Sequence, residues 1–157
     1  FTPANADDNG TAYASFTFQV EDDGGTANGG VNLDPTPNTI TINITAVNDA
    51  PTFTLGSPSL SFPSPGADTP VGLAFASGIS AGPADESGQT LTFTVTNDNN
   101  ALFTVQPDID EVTGVLSFTI ASGAVGTANV TVTLMDDGGT ANGGVNFLTQ
   151  MFTITIS

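Results

Sequence analysis

The residues of this chain that could do chemistry are its carboxylates. They recur as Asp7-Asp8, Asp22-Asp23, Asn48-Asp49, Asp85-Glu86, Asp108 with Asp110-Glu111, and Asp136-Asp137. The chain has 157 residues, 16 Asp plus Glu, and no Lys, Arg, His or Cys. A nucleic-acid interface needs Lys or Arg, so none is expected. Catalysis by Ser-His or Cys-His, zinc binding and Schiff-base formation are excluded with the residues they require. What remains is oxygen chemistry, and a metal held by oxygen alone is a hard cation, chiefly Ca²⁺. Paired carboxylates could also serve a glycosidase. Here they fall in loop-like stretches with no Trp and a single Tyr, Tyr13, for a sugar platform, so the chain reads as a non-enzyme.

These acids are placed by a repeat. Asp22-Asp23-Gly24-Gly25-Thr26-Ala27-Asn28-Gly29-Gly30-Val31-Asn32 recurs unchanged from Asp136 to Asn146, 114 positions later. At the same offset Thr39-Ile40-Thr41-Ile42 meets Thr153-Ile154-Thr155-Ile156. A period of this size is a domain. The chain therefore divides into a complete repeat over 47–157 and, over 1–46, the C-terminal strands of a preceding one.

Apolar residues alternate with period two through both pieces, the mark of half-buried strands. The first piece has Phe16/Phe18/Val20 and Ile40/Ile42/Ile44. The second has Phe53/Leu55 with Leu60/Phe62, Val71/Leu73/Phe75, Leu91/Phe93/Val95, Phe103/Val105, Leu116/Phe118/Ile120, Val130/Val132/Leu134 and Phe152/Ile154/Ile156. Thr fills the outward positions, and Gly, Pro, Asn and Asp fill the gaps. About seven short strands without a helical period predict an all-β, antiparallel, Ig-like sandwich with strands A to G. Residues 1–46 then supply the end of E, plus F and G. No apolar run is long enough for a membrane-spanning helix.

Six apolar side chains on one face of a lone F–G pair would forfeit about 9–18 kcal/mol in water. Two readings follow. Either the sequence is an excerpt of a longer chain, or a neighbouring copy completes the half-domain by strand exchange and builds a filament.

At the boundary stands Ala46-Val47-Asn48-Asp49-Ala50-Pro51. This resembles the junction between cadherin-like and Ig-like tandem repeats of large bacterial surface adhesins, as does the Asp-Asp-Gly-Gly turn after strand F. The resemblance implies a cell-surface, extracellular role in adhesion and Ca²⁺ between successive repeats. Asn48-Asp49-Ala50-Pro51 is similar to the cadherin linker, without its leading Asp. Met135-Asp136-Asp137-Gly138 matches the strand-F ending, as does Glu21-Asp22-Asp23-Gly24 in the preceding repeat. Ala84-Asp85-Glu86-Ser87-Gly88 is an imperfect match to the acidic motif before strand C, and the acidic motif of strand E is absent. The implied junction site is Asp7, Asp8, Asn48, Asp49, Asp85, Glu86, Asp136 and Asp137, with Asp22 and Asp23 as its equivalent one repeat earlier.

Sandwich geometry points the same way. Loops B–C, D–E and F–G lie at the end where the linker enters, and they carry Asp85/Glu86, Asp108/Asp110/Glu111 and Asp136/Asp137. The opposite end has Asp68 and Asp98. With no basic residue to offset this charge, a divalent cation is the counter-charge the chain lacks. The expected partners are neighbouring repeats or copies of the chain itself. A glycan or host protein bound through the long F–G loop is the third alternative.

Overall fold

A computed structural model describes residues 1–5 and 7–157, and the fold is all-β. Contacts divide the chain into two compact units, 1–46 and 47–157.

The first unit is one hairpin. β1 (Gly10–Phe18) pairs antiparallel with β2 (Asn38–Ile44), setting Phe16 opposite Ile40 and Phe18 opposite Asn38. A register shift between Gly10 and Ala14 accommodates Ala12 at φ 54°, whose N–H donates to Asn43 Oδ1. No strand forms over 1–5 and 7–9. Phe16, Phe18, Val20 and Ile40 stand exposed by 42–61%.

The second unit is a sandwich of nine strands: β3 (Thr52–Leu55), β4 (Ser59–Phe62), β5 (Thr69–Ala74), β6 (Ala76–Ser80), β7 (Thr92–Asn97), β8 (Phe103–Ile109), β9 (Val115–Ile120), β10 (Gly126–Met135) and β11 (Phe147–Ile156). One sheet has the order β4-β11-β10-β7, a second β5-β9-β8, and β3 pairs with β6. The expected strands A and B are each broken in two. Gly56, Ser57 and Pro58 divide β3 from β4, so one half pairs with β6 and the other joins β11 in the only parallel pairing among the described residues. Breaks of this kind let one strand serve both sheets.

Strand alternation builds the core. Val130, Val132, Leu134, Ile154 and Ile156 of one sheet face Ile109, Leu116, Phe118 and Ile120 of the other, all fully buried. Edge-to-face ring pairs join strands of different sheets, Phe62–Phe118 and Phe53–Phe93, and Phe103–Phe118 adds one within the second sheet. Such pairs add about 0.5–1.5 kcal/mol beyond their burial. The outer face of β10 and β11 carries Thr pairs instead, Thr133 with Thr149 and Thr127 with Thr155.

One expected inward residue points out. Phe103 is buried but Val105 is 58% exposed, because the β8–β9 pairing shifts register between them and again before Asp108. Beyond those shifts Pro107 and Ile109 take the inward positions. Asp108 consequently lies within β8 and not in the D–E loop.

Candidate metal centre

The F–G loop of the second unit leaves β10 at Met135. Asp136 N–H donates to Asn146 O and closes its base, and Asp136 Oδ1 accepts Gly138 N–H at 3.0 Å. An Asp that caps the amide two residues on makes a tight turn. Asn142 (φ 58°) and Gly143 (φ 92°) then turn left-handed, a conformation Asn and Gly tolerate best. The eleven residues thus fold into a compact cup.

Asn48 fills that cup. Its Nδ2 donates to Asp136 Oδ1 at 3.0 Å, to Val145 O at 2.7 Å and to Asp49 O at 3.1 Å. Its Oδ1 accepts from Gln89 Nε2 at 2.7 Å, and its backbone O accepts Val145 N–H at 2.9 Å. Two glycines make room for it. A Cβ on Gly138 would fall 1.7 Å from Asn48 Oδ1, and one on Gly144 about 3.1 Å from the Asn48 Cβ and O.

The next linker residue reaches the B–C loop. Asp49 N–H donates to Glu86 Oε1 at 2.8 Å. Glu86 closes the short 3-10 turn Ala84–Glu86 and is 7% exposed. A Cβ on Gly82 would lie 2.0 Å from its other oxygen, so only glycine lets this carboxylate turn inward. Asp137 is exposed and accepts Thr90 N–H, which holds its carboxyl below the usual carboxylate range.

Three oxygens are left over. Glu86 Oε2, Asp136 Oδ2 and Gln89 Oε1 are buried without a hydrogen-bond partner among the described residues. Glu86 and Asp136 are the buried charged residues, Asp136 at 5% exposure. An unsatisfied buried polar atom costs about 1–3 kcal/mol, more when charged, and it calls for an ion or ordered water. All three are oxygens, which suits a hard cation. Among the described residues no group of three or more acidic side chains converges on one point.

The remaining predicted ligands are placed as follows. Asp85 is exposed on the turn beside Glu86. Asp22 and Asp23 are exposed in the first unit's loop, where Asp22 Oδ1 caps Gly24 N–H as Asp136 caps Gly138. Asp7 and Asp8 also belong to the first unit. Asp7 offers its backbone O to Asn9 Nδ2. Asp8 accepts from the Tyr13 hydroxyl and from Asn5 N–H, in that order of effect, and its carboxyl is lowered. Asp110 is lowered chiefly by the Thr113 hydroxyl inside its own turn, and Glu111 Oε1 accepts Phe93 N–H. The carboxylates of Asp8, Asp22, Asp110 and Glu111 are thus engaged in local structure.

Gln89 and Gly82 were not among the predicted residues. Gln89 is uncharged and sits in a turn-like stretch, and Gly82 earns its place only through a contact made by the fold. No protein-family model matches the chain, and no curated protein matches it.

Proposed function

We propose that this chain is an extracellular β-sandwich repeat, a structural spacer of a bacterial surface adhesin or fibre, whose linker is pinned by Ca²⁺. One observation carries the calcium reading: buried Glu86, Asp136 and Gln89 each keep an unpartnered oxygen beside the Asn48-Asp49 linker. Those three residues would hold the ion, and bound Ca²⁺ would supply the positive charge that this chain's side chains lack. The 114-residue sequence repeat and the junction-like segment at 46–51 support the spacer role.

Calorimetric titration with CaCl₂, paired with thermal unfolding in Ca²⁺ and in chelator, tests this. Extracellular modules bind Ca²⁺ at about 10⁻⁴–10⁻³ M. Saturation at ten to a hundred times that constant adds about 1.4–2.7 kcal/mol. A binding heat and a raised Tm are expected. No heat and an unchanged Tm on chelation would remove calcium from the reading.

A further inference from the structure

The two copies of the eleven-residue loop have the same fold and opposite occupancy. In each, the first Asp closes the base, Asp22 N–H to Asn32 O and Asp136 N–H to Asn146 O. Each caps its Gly, and each places its Asn left-handed, Asn28 at φ 57° and Asn142 at φ 58°. Gly30 and Gly144 both donate to the Ala three residues back. The second loop is filled by Asn48. In the first, Asp22 and Val31, the equivalents of Asp136 and Val145, border an open pocket of about 450 Å³. Val20, Leu33 and Pro35 line it too, and Asp34 stands at its side. Val31, whose counterpart Val145 binds the Asn48 backbone, is 72% exposed.

We propose that the loop 22–32 is a receptor for an extended segment of the chemistry apolar–Asn–Asp, docked as Val47-Asn48-Asp49 docks on loop 136–146. This names the partner of the repeat reading above and rests on it, but not on calcium. The donors and acceptors that grip Asn48 within the second loop are the Asp136 carboxylate, the Val145 carbonyl and the Val145 amide, and all three are reproduced in the first. The apolar positions behind them agree. Val20 and Ile40 are exposed where their equivalents Leu134 and Ile154 are fully buried. An arriving segment can continue as a strand beside β2, as β4 does beside β11 through Leu60 and Ile154. Adding a strand to an open edge is an established mode of peptide recognition.

Stoichiometry identifies the source. The chain has two such loops and one Val47-Asn48-Asp49 segment. Exchange among copies leaves one loop per copy unfilled. The occupant is therefore an apolar–Asn–Asp segment other than the Val47-Asn48-Asp49 already seated in loop 136–146.

The test is an NMR titration of the isotope-labelled chain with a synthetic peptide of residues 46–62, run in Ca²⁺ and in chelator. Saturable shifts are expected at the Gly24, Gly30 and Val31 amides under both conditions, with slowed exchange at Val31. A peptide carrying Asn48→Ala should bind about tenfold more weakly or worse, having lost its side-chain hydrogen bonds. Gly24→Ala in the chain should abolish the shifts, because its Cβ takes the place of the Asn oxygen. That Cβ meets only the movable Asp22 side chain in the first loop, so retained β1–β2 amide signals will show an intact hairpin. The proposal is overturned by silence at millimolar peptide, by equal binding of the Asn48→Ala peptide, or by shifts confined to 136–146. Self-association of the chain that produces the same shifts without peptide would also overturn it. A null melting response to Ca²⁺ with positive peptide binding would separate failure of the calcium reading from failure of this one.

Discussion

Asn48 donates its side-chain amide to Asp136 Oδ1 at 3.0 Å across 88 residues of sequence. The contact joins the first residues of the second unit to the last hairpin of the same unit.

Replacing Asn48 by Ala removes both ends of that amide at once. Asp136, Gln89 and Val145 then lose a partner in a region where two carboxylates are already buried. A loss of about 2–3 kcal/mol is expected. For a unit near 110 residues this lowers Tm by roughly 10 °C, measurable by calorimetry.

Gly138→Ala should do comparable damage by displacing Asn48, since the new Cβ would overlap its Oδ1. The same change at Gly24, in identical local sequence, should leave stability nearly unaltered. Urea unfolding of the two variants checks the difference.

Glu86→Gln should change sign with calcium. In chelator, removing a buried charge leaves the unit as stable or more stable. In Ca²⁺ the variant should forgo the stabilisation of about 1.4–2.7 kcal/mol that the ion gives the parent. Melting curves that do not cross between the two conditions would contradict the arrangement of Glu86 as a ligand.

Equivalent isoleucines should behave unequally. Ile154 is fully buried and Ile40 is 44% exposed. Ile154→Ala is expected to cost about 2–5 kcal/mol. Ile40→Ala should cost well under that, near the range of surface changes. Denaturant midpoints will separate them.

Acid should weaken Asp98. Asn129 donates its side-chain and backbone N–H groups to that carboxylate and lowers its titration. A lowered folded value means the unfolded chain binds more protons through this window, so stability rises with pH there. The contribution is whole above the unfolded value near 3.8 and is lost as pH falls through the folded one. The Tm gap between the parent and Asp98→Asn should shrink as pH drops below 4.

Much of this molecule was legible because strands announce themselves by alternation. Val130/Val132/Leu134 and Phe152/Ile154/Ile156 read as inward rows, and all six are buried in one sheet. Alternation fails where the backbone breaks step. The register shifts in β8 turn Val105 outward, and they follow from pairing with β9, which no local pattern encodes. The candidate site was legible in its charges and illegible in its mechanics. Asp136 and Glu86 stood out as acids, whereas Gln89 and Gly82 matter through contacts made only once distant loops meet. The sequence offers Asn48 as a ligand, and the fold adds that its amide bonds Asp136 and Val145 of one loop and Gln89 of another.

The parallel pairing of β4 with β11 has a mechanical consequence. The chain enters the second unit at Asn48, beside the start of β11, and leaves at Ile156, about 33 Å along that ten-residue strand. Tension between those points pulls β4 and β11 in opposite senses along their shared axis. The pairs Ser59–Thr153, Leu60–Ile154, Ser61–Thr155 and Phe62–Ile156 then bear load together in shear, and cannot be peeled apart one by one. The one parallel edge among the described residues would thereby act as a clamp against stretching.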